Sequence, residues 1–255
     1  QENTADMIKN SSVLRKRYGR VYVNIGEPIV MKDYLDKLEK PVSQMSLEER
    51  QSLYRKIGYE IVLEINKVSV VTPFSMVASG LLSHDRRGIS HEDLTEVLRE
   101  FYEYLATREV KFAATFARQE KAIADALNIF AQSGIISKIE ADKDEVEEMQ
   151  EVVYSLEDDK RLNLEYYKNN ILHFFVPLCF VATSMVKSND DVISLSKVMG
   201  DYKFLKRLLW NEFIFDERKD DVDEVNDVLS YLYSRKMIVP SERDGQVWIE
   251  IKGRG

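Results

Sequence analysis

The chain has 255 residues, of which 44% are hydrophobic and 31% charged, and this apolar content is sufficient for a sizeable buried core. Its 10 glycines and 5 prolines are too few for a turn-rich all-β protein, so helix should dominate. The formal net charge of −8 argues against a general nucleic-acid binder, because such a protein needs a basic face.

The cysteine and histidine content limits the chemistry available. The single cysteine, Cys179, cannot form an internal disulfide, and a reducing compartment is the simpler interpretation. The three histidines (His84, His91 and His173) are scattered, and no pair has the i, i+4 spacing of a helical zinc site. Phosphate-loop, dinucleotide and nucleophile-elbow motifs are missing as well. The sequence therefore predicts no metal site and no cofactor.

The N-terminal segment has the pattern of an isolated β-strand. Residues 1–18 are polar and then basic, and without an initiator Met we expect a piece of a longer protein. Val21, Val23 and Ile25 alternate with Tyr22 and Asn24, which predicts a strand. A lone strand is unstable in water, and the sequence offers few neighbours. Its sheet partners are therefore expected outside this chain.

Apolar residues at spacings of three and four predict several helices. The first, about Leu47 to Lys67, should face the core with a stripe of Leu53, Ile57, Ile61, Ile65 and Val68. Thr72 and Pro73 predict the start of the next helix, which should end near Ser83 before a turn at residues 86–88. Ser90 is the expected N-cap of a third helix, and a fourth should cover about residues 118–133.

Two helix-plus-hairpin units follow from the strand signals. Residues 135–139 and 152–156 predict strands on either side of the acidic stretch 140–148, and helix, helix, hairpin is the order of a winged-helix module. A similar unit is expected at residues 222–251, where Asp244-Gly245 predicts a hairpin turn. The predicted fold class is mainly α with small β-hairpins (α+β), a helical domain with winged-helix-like units.

The most apolar run is Ile171 to Val186, and its 16 residues fall short of the roughly 20 that span a bilayer. A buried core helix or interfacial membrane contact would explain it. Just before it, Tyr166, Asn169, Asn170 and His173 would share one face of a continuous helix. Either a hydrogen-bonded core network or a ligand-contacting role accounts for these polar residues.

Four strings in order resemble one known family. Arg20–Ile29 resembles the last strand of the acyltransferase domain in glycerol-3-phosphate and dihydroxyacetone-phosphate acyltransferases. Ile65–Pro73, Gly88–Ser90 and Leu164–His173 resemble the C-terminal region of the same family. The resemblance implies acyl transfer from acyl-CoA or acyl carrier protein to the sn-1 hydroxyl of glycerol 3-phosphate, the opening step of phospholipid synthesis.

The catalytic motif of that family is missing from this sequence. The family uses His-x-x-x-x-Asp, in which the carboxylate orients the imidazole that takes the hydroxyl proton. Five residues after the three histidines stand Ile89, Glu96 and Leu178, and residues five apart on a helix do not share a face. No Phe-Pro-Glu-Gly string occurs either. We therefore expect the catalytic residues upstream of Gln1 and none in this chain.

The resemblance also implies an organisation and a set of partners. Residues 1–40 would end the acyltransferase domain, 41–160 would form a helical, winged-helix-like lobe, and 161–255 a second helical lobe with a C-terminal hairpin. The implied partners are the upstream acyltransferase domain, the acyl donor and glycerol 3-phosphate, with no nucleic acid. The whole enzyme would lie on the reducing, cytoplasmic side and contact a membrane. Candidates for a substrate cleft or interdomain surface are Asn66, Lys67, Tyr167, Asn169, Asn170 and His173.

A second hypothesis is a non-enzymatic winged-helix module that binds a protein partner or, less favoured, DNA. Basic residues clustered on the exposed face of residues 118–133 would favour DNA. A large exposed apolar patch around Tyr22 and Val23 would instead favour a missing catalytic domain.

Overall fold

A computed structural model describes residues 20–84, 87–140, 152–188 and 190–252. The predictions for basic residues 1–18, for Arg86 in the turn and for most of the acidic stretch 140–148 lie outside these residues. The chain divides into two compact units. The first unit comprises Gln1–Asn24, Val70–Phe101 and Phe112–Asn169, and the second comprises Ile25–Ser69, Tyr102–Lys111 and Asn170–Gly255. The domain boundaries expected at residues 40 and 160 stay predictions.

Helices dominate the described residues, as the composition predicts. In chain order the helices and strands are α1 (Met31–Leu35), α2 (Leu47–Val68), β1 (Val70–Val71), α3 (Pro73–Leu82), β2 (Gly88–Ser90), α4 (His91–Ala106), β3 (Lys111–Phe112), α5 (Gln119–Gln132), β4 (Ser137–Glu140), β5 (Val152–Ser155), α6 (Arg161–Asn169), α7 (Leu172–Lys187), β6 (Val192–Ser194), α8 (Leu195–Leu208), α9 (Asp221–Ser234), β7 (Ile238–Arg243) and β8 (Gln246–Ile251). Short 3₁₀ turns cover Val42–Gln44, Ala114–Arg118 and Asp158–Lys160.

The first unit packs helices against a three-stranded antiparallel sheet of order β2-β5-β4. Thr72 caps α3 as predicted, because its hydroxyl accepts the Ser75 N–H and Pro73 takes the first helical position. Gly134 follows α5 with a φ of +67°, a conformation that suits glycine. The largest fully buried side chains of the first unit include Met76, Leu94, Leu98, Phe130 and Leu164.

The second unit repeats the arrangement of the first. Its antiparallel sheet has the order β6-β8-β7, and α7, α8 and α9 occupy the same places in the chain order as α3, α4 and α5. Asp244 and Gly245, both with positive φ, form the hairpin turn that connects β7 to β8, as predicted. Tyr104, Val198, Tyr202, Val228 and Ile249 are buried. The recurrence follows from the similar order of apolar stripes and turn residues in the two halves.

The strand predicted at residues 19–28 does not form in the described structure. Residues 20–30 have neither helix nor strand assignment. The prediction of strand-like alternation was made from side chains alone, whereas a strand also needs a neighbour for its main-chain hydrogen bonds. The expected isolation of this segment explains the difference.

Helix α2 is present, but its predicted core-facing stripe is only partly buried, with Leu53, Ile57 and Val68 half-buried. Ser46 and Glu49 form a reciprocal capping box that fixes its start. Leu63 is the buried residue of this helix, whereas Ile61 and Ile65 of the predicted stripe are exposed. The spacing identified a helix with an apolar face correctly, but the described residues leave part of that face in solvent.

The apolar run 171–186 forms α7, whose buried residues include Phe175, Val176, Phe180 and Val181. This confirms the core-helix interpretation for the buried face of α7. A turn at Asn170 and Ile171 separates α7 from α6. Ile171 has a non-helical φ of −125°, and its side chain is fully buried. The continuous helix that would place Tyr166, Asn169, Asn170 and His173 on one face is therefore wrong.

No single helix in the described ranges is long and apolar enough to cross a bilayer. Only Asp158–Asn169 and Leu172–Lys187, taken together as a bent pair, reach the required length and apolar composition.

Candidate functional site

A cavity of about 690 Å³ in the second unit contains half of the candidate residues. Helix α2 contributes Asn66 and Lys67, the start of α7 contributes His173, and the segment after α4 contributes residues 107–110. The lining also includes residues 213–216, Lys219, two acidic side chains of α9 and apolar residues of α2 and α7. The volume lies in the range of small-molecule sites, so this is the main candidate site of the second unit.

His173 is neutral in this cavity. Burial lowers its pKa to about 4, and a hydrogen bond to the main chain of Asn66 opposes that shift. Because this hydrogen bond raises the pKa, the ring acts as its donor to the Asn66 carbonyl group. The Nε2 atom is buried and has no hydrogen-bond partner among the described residues. With the proton on Nδ1, Nε2 is an acceptor that can receive a hydroxyl or N–H donor.

The aromatic wall of the cavity is held by one tyrosine of α2. The Tyr59 hydroxyl donates to the Phe215 carbonyl oxygen at 2.9 Å and accepts the Phe215 N–H at 2.6 Å. The Phe215 ring stacks on Trp210 with the ring centroids 5.6 Å apart. These contacts fix residues 213–216, so the wall keeps its shape without regular secondary structure.

Ion pairs compensate most of the charge around the cavity. Arg108 pairs with Asp227 at 3.4 Å, Lys206 with Glu224 at 3.3 Å, and Asp216 with Arg218, whose hydrogen bond lowers the pKa of that carboxyl. Lys67 pairs with the neighbouring Glu64. The cavity is thus polar and nearly balanced, and the neutral imidazole is its distinctive group.

The described residues do not contain a metal-binding cluster. Within them, no three His, Cys, Asp or Glu side chains come together in a way that could hold a metal ion. His91, at the start of α4, lies with its Nδ1 3.2 Å from the Tyr154 hydroxyl. The acid–base arrangement of a carboxylate hydrogen-bonded to an imidazole is not recorded for His91 or His173 in the described ranges.

The six sequence candidates divide among three environments. Asn66, Lys67 and His173 line the cavity. Tyr167 instead packs in the first unit, with its ring 5.9 Å from Phe74 and 5.2 Å from Phe130. Asn169 ends α6 and Asn170 lies in the following turn, both exposed. Their proposed roles stay predictions.

Several cavity residues carried no recognisable signal in the sequence. Arg108 follows the end of α4, and its guanidinium lies 5.8 Å above the ring centroid of Tyr104. Lys219 and Phe213 lie in an irregular segment between α8 and α9. No motif or spacing marks these residues, because only tertiary packing brings their chain segments together.

The segment 20–30 presents exposed apolar residues of the kind that would favour a missing catalytic domain over an independent winged-helix module. Val21, Val23 and Ile25 are 87%, 81% and 94% exposed. Tyr22 is half-buried, and its hydroxyl lies 3.3 Å from the Thr115 hydroxyl. The segment is therefore anchored at Tyr22, while these three apolar side chains lie in water.

A second exposed apolar surface lies on α2. Tyr54, Ile61, Val62 and Ile65 are each at least 40% exposed and recur at helical spacing, and we call them the α2 face. Gly26 packs closely against the end of this helix. A Cβ atom added to Gly26 would lie only 3.2 Å from Val68 Cγ1. Exposed apolar surface of this extent is typical of an interaction site.

A family model described as glycerol-3-phosphate acyltransferase C-terminal region matches residues 1–252. The chain therefore belongs to the family of C-terminal regions of glycerol-3-phosphate acyltransferases.

The chain is similar to part of each of several longer curated proteins. It is 28% identical over 236 residues to a glycerol-3-phosphate acyltransferase of Pasteurella multocida, covering 88% of this chain and 28% of the relative. It is 25% identical over 244 residues to the protein of that name in Aeromonas hydrophila, covering 93% of this chain and 29% of the relative. The chain thus spans under a third of the length of these relatives.

The buried imidazole predicts a pH-dependent stability. The His173 pKa is about 4 in the folded chain and near 6.5 when unfolded, so its stabilising contribution is complete above 6.5 and lost as the pH falls towards 4. Between about pH 7 and about pH 4, wild type should lose about 2 kcal/mol more unfolding free energy than His173→Asn. Urea unfolding at each pH measures this difference. Parallel pH profiles for the two proteins would contradict it.

Proposed function

We propose that this chain is the non-catalytic C-terminal region of a glycerol-3-phosphate acyltransferase and supports its catalytic domain. In the whole enzyme the sn-1 hydroxyl oxygen attacks the thioester carbonyl of acyl-CoA or acyl carrier protein, the C–S bond breaks, and the hydroxyl proton passes to an upstream base. Family membership supports the reaction class. The lack of His-x-x-x-x-Asp in this chain supports an upstream base.

The exposed α2 face carries the supporting role. A helix whose apolar stripe meets solvent loses the free energy that its burial would contribute, about 25 cal/mol for each Å². The segment 20–30 adds exposed apolar residues outside any helix or strand, which suit addition to a sheet edge. The partner we infer is the upstream acyltransferase domain of the same polypeptide.

The cavity at His173 fits a supporting contact with the acceptor substrate. Its Nε2 atom accepts a hydrogen bond, which a polyol hydroxyl supplies, and Asn66 and Lys67 add polar groups beside it. A neutral imidazole without a carboxylate partner can orient a hydroxyl. We therefore assign His173 a positioning role in the complete enzyme.

We also infer that the two units are winged-helix-like and serve protein contacts. The repeated order of helix, strand, two helices and hairpin, with the first strand beside the last, supports this class. A DNA-binding role is disfavoured, because the exposed residues of α5 include Glu120, Lys121 and Asp125 rather than a basic cluster. In the complete protein we place this region at the cytoplasmic side of a membrane, in a reducing compartment.

The isolated chain should have no transferase activity. Purified chain incubated with acyl-CoA and glycerol 3-phosphate should release thiol no faster than the uncatalysed mixture, because the base is encoded upstream. The full-length protein assayed in parallel is the positive control. Robust turnover by the isolated chain would refute the non-catalytic assignment.

Disruption of the α2 face should impair the full-length enzyme but not the isolated chain. Ile61→Asp with Ile65→Asp should lower activity at least tenfold, since burying each isoleucine contributes about 1.5–3 kcal/mol. Val222→Asp with Tyr233→Asp is the control, because these residues are similarly exposed at 45% and 58%. Isolated chains carrying either pair should unfold within about 0.5 kcal/mol of wild type. Equal activity losses in the α2-face variant and the control variant would contradict the docking assignment.

Replacement of His173 should separate positioning from folding. In the full-length enzyme, His173→Asn should lower kcat/KM about tenfold or more, because it removes the acceptor at Nε2. His173→Gln returns a polar atom near the Nε2 position and should recover part of the activity. Asn170→Ala is expected to reduce activity more than stability if the turn contacts the catalytic domain. Activity that simply follows the unfolding midpoint in all three variants would favour a purely structural role.

A further inference from the structure

Helix α8 is a basic element in an acidic chain. It carries Lys197, Lys203, Lys206 and Arg207 against one acidic residue, Asp201, whereas the whole sequence has a net charge of −8. Lys197 pairs with Asp201 at 3.0 Å, and Lys206 pairs with two carboxylates of α9. Lys203 and Arg207 are exposed and have no recorded ion pair within the described ranges. They are one turn apart and so share a face.

Large apolar side chains lie beside these free cations. Phe204 and Leu208, also one turn apart, are 52% and 62% exposed, and Trp210 follows the helix with 37% exposed. The buried residues Val198 and Tyr202 occupy the opposite side of α8. The outer side therefore combines aromatic and aliphatic groups with unpaired basic groups, and we call Lys203, Phe204, Arg207, Leu208 and Trp210 the α8 face.

Helix α8 is tied to α9, and a depression adjoins the α8 face. The Tyr202 hydroxyl donates to Glu224 at 2.9 Å, which ties α8 to α9. A depression of about 480 Å³ is lined by Lys203, Arg207, Trp210 and, from the next loop, Lys219. Asp221 there is paired with Lys206, whereas Glu217 and the helix-capping Asp220 keep their negative charge. Four basic side chains therefore line the depression against three acidic ones. An anionic head group fits this set of donors.

We propose that the α8 face docks on an anionic lipid surface. Lysine and arginine beside exposed Phe, Leu and Trp are the composition of interfacial helices, whose apolar groups enter the acyl boundary while the cations meet lipid phosphates. Charge complementarity selects this occupant, because a neutral apolar partner would leave Lys203 and Arg207 desolvated and unpaired. The inference goes beyond interdomain support, because the α8 face is distinct from the α2 face.

Vesicle flotation of the 255-residue chain tests the proposal. Phosphatidylcholine vesicles containing phosphatidylglycerol should bind the chain, and pure phosphatidylcholine vesicles should bind it far less. Binding should weaken with added salt. Lys203→Ala with Arg207→Ala should weaken partitioning roughly fivefold for each cation removed. Phe204→Ser with Leu208→Ser should weaken it at least tenfold while leaving the far-ultraviolet circular dichroism and unfolding midpoint unchanged.

The control variant carries Lys121→Ala with Leu162→Ser, both exposed residues of the first unit, and should bind as wild type does. The proposal is overturned if anionic vesicles do not bind the chain, or if the control and the α8 variants lose binding equally. It is also overturned if the chain does not bind vesicles but binds acyl carrier protein through the same residues. The α8 face would then be a protein-docking surface. The assay involves no acyl transfer, so its outcome is independent of the activity tests.

Discussion

The apolar side chains that this polypeptide does not bury are the constraint on which its interpretation depends. Helix α2 begins with a complete capping box and has a clear apolar stripe, yet Ile61 and Ile65 of that stripe are exposed. The helix is therefore well formed locally but incompletely covered. A partner that buries the α2 face would recover hydrophobic free energy, and the proposed partner is the upstream acyltransferase domain.

The duplicated topology gives the chain two similar scaffolds with different surfaces. In the first unit, the exposed part of α5 mixes acidic and basic residues. In the second, α8 has two cations that form no ion pair with a described residue, together with exposed apolar groups. Since the order of elements is the same, the differences in surface chemistry decide what each unit contacts. Fold alone would not separate DNA binding from protein or lipid contact.

His173 illustrates how burial rather than a motif creates a chemical group. In water its imidazole would be partly protonated near neutral pH, whereas the cavity holds it neutral with one nitrogen committed to Asn66. The remaining nitrogen is a buried acceptor without a recorded partner in the described structure. Such a group costs free energy unless something donates to it, so it marks where a ligand or neighbouring domain would make contact.

The sequence by itself determined the helical class, the caps at Thr72 and Gly134, the hairpin turn at Asp244-Gly245 and the family resemblance. These follow from short-range rules, in which a residue and its near neighbours fix the local conformation. It also identified Asn66, Lys67 and His173 as candidates. Only the tertiary structure decided that these three meet in one cavity, that Tyr167 packs elsewhere, and that the stripe of α2 is exposed. Periodicity indicates which side of a helix is apolar, but whether that side is covered depends on segments distant in the chain or outside it.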